Sequence, residues 1–365
     1  MNNDFFEDQV ENVQEEIIQE VKDCKCPQCG ANMNYNAESE GLKCDYCGFS
    51  LNLNGETSSV ENDFLSANVE DNWKEDAQTA SCPNCGSKNV VDRETISCVC
   101  PFCNTPLMFK LEELKGAKPD RVIPFKISNQ MALENYKKWL KKKFYVPSKL
   151  KKDIPNPVQS GVYIPSWTFD TNSFSNYKGR LGKTYTTTVG SGKNRRTVTR
   201  VRWFRISGVH QKTVDDILIC SGKQLSQNDL EKISPFNTND SYVYDNRYLA
   251  GHVAEHYELD LKDGWSKAQN IIRTQIRSEI LSQYFYDRID YLEFTPVYTD
   301  IKYKYVLVPI WISHYIHKNK KFIFYVNGES GKISGKYPVS ALKVLMTVVL
   351  IAALIIGVLL FIYFN

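Results

Sequence analysis

The sequence predicts an α+β protein with two small four-cysteine ribbons, a mostly antiparallel, β-rich α+β domain and one C-terminal transmembrane helix. Three observations support this fold class. The first third of the chain repeats one cysteine pattern, the middle combines β-branched and aromatic runs with two helical periodicities, and the last residues are uniformly apolar. A length of 365 residues allows two or three domains.

The cysteine pattern is Cys-x-x-Cys, fourteen residues, then Cys-x-x-Cys, and it occurs twice. Each copy supplies four thiolates as two pairs on short turns, which is the donor set of a tetrahedral structural Zn²⁺ site. The sequence therefore predicts two structural zinc ions. Their expected ligands are Cys26, Cys29, Cys44 and Cys47 in ribbon one, and Cys82, Cys85, Cys100 and Cys103 in ribbon two.

Two other uses of these cysteines fit less well. A thioredoxin-like redox site uses one Cys-x-x-Cys within a βαβ unit, not two facing pairs. A disulfide framework needs an oxidising compartment, and no signal peptide is evident before these cysteines. Cys24 and Cys98 each lie two residues before an expected ligand, so ligand exchange and a bystander role both stay open. Cys220 ends an apolar run and is expected to be a small buried hydrophobe.

The C-terminal run of residues 344–364 has 21 residues and no charge. A helix of that length spans about 30 Å, the hydrocarbon thickness of a bilayer. The sequence therefore predicts a tail anchor over residues 342–364. Lys332, Lys336 and Lys343 precede it, so the positive-inside rule places the bulk of the chain in the cytoplasm.

The net charge of +3 is unevenly distributed along the chain. Residues 1–23 carry −7 and residues 54–80 carry −6, which leaves +16 on the remainder. A basic body with acidic arms is predicted. Such a body suits anionic lipid headgroups or nucleic acid.

Composition shifts and periodicity give the expected organisation. Helices are predicted at residues 129–144, with Phe144 on the apolar face, and at 264–286. Hairpins are predicted at 183–207 and at 301–317 with 321–327, and a further strand at 209–220. The predicted units are an acidic amphipathic helix at 1–23, ribbon one at 24–53, an acidic linker at 54–80, ribbon two at 81–112, and a basic α+β domain at 119–338.

Two short motifs point to enzymes but carry little weight. His252-Val253-Ala254-Glu255-His256 matches the H-x-x-E-H pattern of inverted zinc proteases, yet no third ligand can be identified. The Gly-Ser-Gly-Lys sequence at 190–193 lacks the glycine and the hydroxyl residue that a phosphate-binding loop requires. Zinc held by four cysteines has no open position for catalysis. The chain is therefore expected not to be an enzyme.

One strand has a composition suited to polyanions. Alternation over residues 195–206 places Arg196, Arg200, Arg202 and Phe204 on one face. Arginine interleaved with an aromatic ring can bind phosphates and stack on bases, and the same face suits anionic headgroups. A solvated sheet face is the third interpretation.

Several stretches resemble one bacterial family. They are Cys-Pro-Gln-Cys-Gly-Ala at 26–31, Gly-Leu-Lys-Cys-Asp-Tyr-Cys-Gly at 41–48, Gly-Val-Tyr-Ile-Pro-Ser-Trp at 161–167, Val-Pro-Ile-Trp at 308–311 and Tyr-Val-Asn-Gly-Glu-Ser-Gly-Lys at 325–332. With the terminal anchor, they make the chain similar to TFIIB-type zinc-ribbon membrane proteins. Some members are labelled as primosomal or replisome-organising factors. Others act with phage-shock-A-like coat proteins in the envelope-stress response.

The resemblance implies an adaptor that brings a soluble protein partner to the membrane. The leading hypothesis is therefore a non-enzymatic, membrane-anchored zinc-ribbon adaptor. The alternative is a membrane-tethered nucleic-acid-binding protein related to replication or transcription. A metallopeptidase is the third interpretation.

Overall fold

The computed structural model describes residues 24–53, 55–57, 60–67, 77–92, 97–108, 112–113, 116–318 and 320–364. The predicted acidic helix of residues 1–23 lies outside the described residues. Within them, the strands are β1 Asn34–Asn36, β2 Gly41–Lys43, β3 Ser50–Asn52, β4 Asn62–Asp63, β5 Ala77–Ser81, β6 Lys88–Asp92, β7 Ser97–Val99, β8 Pro106–Met108, β9 Glu112–Glu113, β10 Arg121–Val122, β11 Val158–Val189, β12 Arg196–Cys220, β13 Tyr242–Val243, β14 Val253–Glu255, β15 Arg288–His317, β16 Lys320–Asn327 and β17 Ile333–Gly335.

The same residues contain five α-helices. They are α1 Asn129–Lys142, α2 Ser148–Lys152, α3 Gln227–Ile233, α4 Leu261–Ser282 and α5 Ala341–Phe364. Ser128 and Asp260 begin α1 and α4, since each side chain accepts a hydrogen bond from a backbone N–H in the first turn. Both predicted helices of the α+β domain are confirmed.

A long antiparallel ladder of β12, β11 and β15 forms the framework of the body. Val189 pairs with Arg196 across the first turn, and β11 pairs with β15 from Val158 opposite His314 to Gly182 opposite Arg288. The hairpin predicted at 183–207 is confirmed, but the strand predicted at 209–220 is its direct continuation. Beside it, β15 and β16 form the second predicted hairpin.

The ladder belongs to a twelve-stranded sheet within the described residues. Only β10 with β15 and β11 with β14 pair in parallel there, and the other pairs described are antiparallel. The first ribbon has its own three-stranded sheet, β1-β2-β3, and β7 pairs with β8. The predicted mostly antiparallel α+β fold class is confirmed.

The central part of the ladder is buried on both faces. Residues 162–169 are buried without interruption because alternate side chains enter two different cores. Tyr163 and Trp167 enter the main core with α1 and α4, whereas Val162 and Ile164 enter a second core with α3 and ribbon two. The sheet therefore separates a helical layer from a metal-ribbon layer.

Helix α1 corrects one expectation about the apolar face. Tyr136 stacks on Phe324 with ring centroids 4.1 Å apart, so this face packs on the sheet as predicted. The helix ends at Lys142, however, and Phe144 is 65% exposed while Val146 is fully buried. The chain turns before Pro147, and the turn carries Val146 into the core in place of Phe144.

The predicted acidic linker also needs correction over part of its length. Residues 62–63 form β4 against Tyr303 and Lys302 of β15, and residues 77–80 belong to β5. Phe64 packs on Phe169 and Trp265 with centroids 6.3 and 5.8 Å apart. An aromatic residue and an ordered strand fix residues 60–67 to the main core, although the composition resembles that of a disordered tether.

The C-terminal helix α5 does not pack on the body beyond its first turn, where Lys343 donates to the carbonyls of Phe144 and Val146. Its segment Ala341–Tyr363 has 23 residues, a mean hydropathy of 3.2 and no buried share in its most apolar window. At ~1.5 Å rise per residue its length exceeds the ~30 Å of a bilayer core. Within the described residues it is the one helix long and apolar enough to cross a membrane.

Candidate metal centres and basic arm

Four tight turns of one geometry present the eight predicted ligands. In each turn the backbone N–H of the residue after the second cysteine donates to the carbonyl oxygen of the first, as Gly30 does to Cys26 at 2.8 Å. That residue has a left-handed backbone, which favours glycine. The four residues are Gly30, Gly48, Gly86 and Asn104, with φ of 73°, 80°, 71° and 64°. The repeated Cys-x-x-Cys-Gly pattern thus follows from the turn itself.

The turns bring the sulfurs together in two groups of four. Within each group all four Sγ atoms lie within 4.8 Å of one another. Cys26 and Cys47 are 3.4 Å apart, and Cys82 and Cys103 are 3.5 Å apart. Tetrahedral zinc at ~2.3 Å from each sulfur needs separations of about 3.8 Å. The donor set and its spacing therefore fit a four-thiolate zinc ion at each site.

The two sites differ in their surroundings. In ribbon one, Cys29 and Cys47 are exposed, and the small core consists of Cys26, Met33, Leu42 and Cys44. Its contact with the body includes one hydrogen bond from the Tyr35 N–H to the Ala250 carbonyl, at 2.9 Å. Cys24 is outside the four-sulfur group, and the side chain of Cys98 lies outside the described residues. Tyr35 is also buried in the main core, with its ring 5.7 Å from that of Tyr248, so ribbon one has a small metal-ligand core of its own and an aromatic contact with the body.

Ribbon two is part of the body. Cys82 and Cys100 are each 1% exposed and pack in the second core with Val162, Ile164 and Leu225. Strand β6 of the ribbon pairs with β14, and β14 pairs with β11. Side chains of the body also bind the ribbon backbone, with Gln224 Nε2 donating to the Cys85 carbonyl at 3.0 Å. Loss of this metal should consequently disturb the sheet.

The local environment alters the acidity of these thiols in opposite directions. A hydrogen bond from the Cys47 backbone N–H lowers the pKa of Cys44 to about 7, which favours the thiolate that a metal binds. Burial raises the pKa of Cys100 to about 12, despite the hydroxyl of Ser87 at 3.4 Å from its sulfur. Each ribbon contains both kinds of thiol, because the pKa of Cys103 in ribbon two is lowered to about 6 and that of Cys29 in ribbon one is raised to about 12.

Glu255 is a buried carboxyl group between ribbon two and the body, 1% exposed on β14. Its Oε1 accepts hydrogen bonds from the backbone N–H groups of Lys223 and Gln224 at 3.0 and 3.1 Å. Burial outweighs these bonds and raises the pKa of Glu255 from 4.5 to about 7. The folded chain therefore keeps a proton that the unfolded chain releases between these two values.

The stability that Glu255 contributes should be complete at low pH and lost as the pH rises through about 7. We expect Glu255→Gln to remove this dependence of the unfolding free energy on pH. The variant should therefore become more stable relative to wild type as the pH rises from about 6 to about 8. Urea unfolding of the zinc-loaded chain at both pH values measures it. Glu293→Gln, at a side chain that is 61% exposed, is the matched control. Parallel curves for wild type and Glu255→Gln would contradict the assignment.

The H-x-x-E-H motif does not form a metal site. Its residues 253–255 are strand β14 and not a helix, so the two histidines do not share a helical face. His252 is stacked on Phe125 with centroids 4.2 Å apart, and burial lowers its pKa to about 4. The ring of His256 stacks on Tyr257 at 4.7 Å. Neither histidine joins a group of potential metal ligands among the described residues.

A third group of potential ligands surrounds a lysine. Carboxylates of Glu61, Asp170 and Asp216 lie within 4.8 Å of one another. The Lys304 ammonium, 3% exposed, lies 3.3 Å from Glu61 and 2.8 Å from Asp216. It occupies the position that a metal cation would need. Lys302 lies 3.8 Å from Glu61, and burial raises the pKa of Asp170 to about 7, so two ammonium groups compensate most of the negative charge. Sequence inspection missed the cluster because Glu61 lies in the predicted linker.

The predicted polyanion-binding residues lie on the distal part of the ladder, which we call the basic arm (residues 171–214). The arm contains ten lysines and arginines and no acidic residue. Arg196, Arg200 and Arg202 are exposed there, and the Arg202 guanidinium lies 5.7 Å from the Tyr185 ring centroid. Three of the ten cations pair with acidic residues outside the arm, as Lys178 does with Glu293 at 3.0 Å. The uncompensated positive charge therefore lies toward the tip, at Arg196, Arg200 and Arg202.

Phe204 is the exception among the predicted residues. It is half-buried and packs against the main core beside buried Ile206, on the face that α4 covers. The more exposed ring is Trp203 on the opposite face, 38% exposed, with the Arg180 guanidinium 5.4 Å from its centroid. Ile206 and His210 are buried on the same face of β12 as Phe204. The alternation of apolar residues along this strand could have identified Trp203, on the opposite face, as the exposed aromatic residue.

Comparison with known proteins finds one similarity that spans most of the chain. The chain is 27% identical over 313 residues to the uncharacterized protein YdjG of Bacillus subtilis (strain 168), and the match covers 72% of this chain and 91% of that protein. No protein-family profile matches the chain, and no solved structure matches it. The similarity assigns no activity to this chain, because the relative is itself uncharacterized.

Proposed function

We propose that this protein is a non-enzymatic adaptor, anchored in the membrane by α5, that recruits a soluble protein partner through its basic arm at the cytoplasmic face. The proposal is carried by the distance between the membrane helix and the basic arm, which lie toward opposite ends of one ladder. The membrane helix follows the end at which β15 meets β16, and the basic arm is the other end. The resemblance to TFIIB-type zinc-ribbon membrane proteins suggests a phage-shock-A-like coat protein as the partner.

The ladder places the basic arm far from the end that lies near the membrane helix. Arg200 pairs with Tyr185, which lies roughly 27 residues along β11 from Val158, a path of about 90 Å at ~3.3 Å per residue. The Val158 end pairs with His314, close to the strands on which α1 packs. Three strands, with α4 packed on β12, support the ladder as far as Gly182, and beyond it Arg200 and Arg202 lie on a two-stranded hairpin of β11 and β12. This supports recruitment at a distance from the anchor.

The metal sites support a structural role. Four thiolates complete the coordination of zinc and leave no position for water or substrate. The buried His252 and the carboxylate cluster occupied by Lys304 offer no acid–base pair facing a cavity. Both observations favour a binding protein over an enzyme. The orientation with the body in the cytoplasm agrees with Lys336 and Lys343 beside the helix.

Affinity capture of the full chain from detergent-solubilised membranes tests the proposal. We expect an acidic soluble protein to be recovered, and nuclease treatment not to change its yield. The double substitution Arg200→Ala with Arg202→Ala should reduce recovery at least tenfold, because two exposed charges facing an acidic surface contribute on the order of 1 kcal/mol each. Zinc content should not change.

The matched control removes two exposed lysines from α4, Lys262→Ala with Lys267→Ala. Equal loss in both double variants would mean that net charge alone acts, which would contradict a specific arm. A second outcome favours nucleic acid, because the arm combines arginines with the aromatic rings of Trp203 and Tyr185. If nuclease abolishes the complex and Trp203→Ala prevents binding of single strands, the adaptor proposal fails.

A further inference from the structure

A lysine-rich corner lies where α1 ends and α2 begins. Residues 137–152, which we call the lysine corner, contain eight lysines and no acidic residue. Five of these side chains are exposed: Lys138, which pairs with Glu134 at 4.0 Å, and Lys141, Lys142, Lys149 and Lys152. Phe144 lies among them with 65% of its surface exposed. An exposed phenylalanine within a cluster of lysines is typical of segments that lie at a bilayer surface.

The corner is bonded directly to the start of the membrane helix. The Ser340 N–H donates to the Tyr145 carbonyl at 2.8 Å. Lys343 Nζ donates to the carbonyls of Phe144 and Val146 at 3.1 and 2.8 Å, and its ammonium lies 5.7 Å from the Phe144 ring centroid. The first turn of α5 therefore holds the corner in place. Where α5 enters the bilayer, the corner must lie at the level of the headgroups.

Other roles of these lysines do not account for the exposed set. Lys143 lies over the rings of Trp139 and Tyr337 at 5.2 and 5.7 Å, and Lys151 donates to the Lys141 carbonyl. Both have structural contacts within the corner. Lys142, Lys149 and Lys152 have no ion pair among the described residues, although they lie within one short stretch of like charge. A negatively charged surface would remove their mutual repulsion.

From this placement we infer that the lysine corner is a binding site for anionic phospholipid headgroups, with Phe144 inserted at the interface. The inference rests on the proposed membrane anchor and adds a lipid class to it. It assigns the lipid contact to the corner beside α5 and not to the arginines of the distal arm. Exposed Leu342, in the first turn of α5, continues the apolar surface of Phe144 into the bilayer.

The test uses the full chain in vesicles of phosphatidylcholine with or without phosphatidylglycerol. A benzophenone amino acid replaces Phe144, or, as a control, Phe285, which is 76% exposed at the end of α4 with Lys183 4.2 Å from its ring centroid. After irradiation, lipid adducts are identified by mass spectrometry. We expect adducts at position 144 and none at 285. In mixed vesicles, phosphatidylglycerol should be enriched among them about fivefold or more.

Neutralising the exposed lysines tests the charge recognition. Lys142→Gln, Lys149→Gln and Lys152→Gln together should return the adducts to the vesicle composition. The control triple Lys262→Gln, Lys267→Gln and Arg277→Gln on α4 should leave the enrichment unchanged. If the protein resists alkaline extraction but gives no adduct at 144, or shows no enrichment, the corner is not an anionic-lipid site and the anchor stands. If alkaline washing extracts the protein, both the anchor and this inference fail.

Discussion

Cys100→Ser should remove one zinc ion per chain and destabilise the whole body. Cys100 is 1% exposed in the second core, and β6 connects its ribbon through β14 to β11. Structural zinc contributes about 10–16 kcal/mol in isolated fingers, so losing it here should cost at least about 4 kcal/mol of body stability. At about 2–4 °C per kcal/mol the melting temperature should fall by about 10 °C.

Cys44→Ser is the matched control, because Cys44 is also fully buried but lies in the separate core of ribbon one. It should remove one zinc ion and lower the melting temperature of the body much less than Cys100→Ser does, because Tyr35 is the main residue of ribbon one buried in the body. Metal analysis and thermal unfolding of the full chain in detergent give both quantities. If both variants lowered the melting temperature equally, ribbon two would not be integrated as its burial indicates. A folded, metal-free wild-type chain would refute the zinc assignment itself.

Deletion of residues 342–365 should move the protein from the membrane to the soluble fraction. The segment Ala341–Tyr363 has a mean hydropathy of 3.2, and its most apolar window has no buried share. Leucine, isoleucine and valine each favour the bilayer centre by about 0.3–0.6 kcal/mol, so the run of such residues dominates partitioning. Fractionation with alkaline extraction measures the change.

Replacing residues 344–363 with leucines is the control, and we expect it to keep the protein in the membrane because length and hydropathy alone are required. Protease added outside intact spheroplasts tests the orientation. It should leave the body uncut, since Lys336 and Lys343 favour the cytoplasmic side. Cleavage of the body would reverse the orientation, and an unchanged distribution after deletion would exclude α5 as the anchor.

Local patterns determined much of this molecule from sequence alone. The two Cys-x-x-Cys pairs of each ribbon lie on turns whose geometry depends on a few neighbouring residues, such as Gly30 and Gly86. The hairpin at 183–207 and the periodic helix α4 likewise depend on short-range alternation and spacing. The apolar run of α5 needs no partner to be recognised. In each case the deciding interactions lie within the segment itself.

Only the tertiary structure decided which of these units are independent. The two ribbons have the same spacing of cysteines, yet Cys82 and Cys100 lie in a shared core and Cys29 and Cys47 are exposed. The difference comes from residues far along the chain, such as Gln224, which donates to the Cys85 carbonyl. Composition cannot encode such contacts, because they depend on how the sheet assembles.

The same reason explains the residues that sequence analysis misplaced. Glu61 belongs to an acidic stretch, but Lys304 lies 3.3 Å away and makes it part of a buried ion cluster. Phe144 fits a helical apolar stripe, yet the turn that buries Val146 leaves its ring beside the first turn of α5. The sequence by itself determined the two four-cysteine groups, most of the strands and the long apolar helix. The fold decided their neighbours, because long-range packing selects which side chains meet.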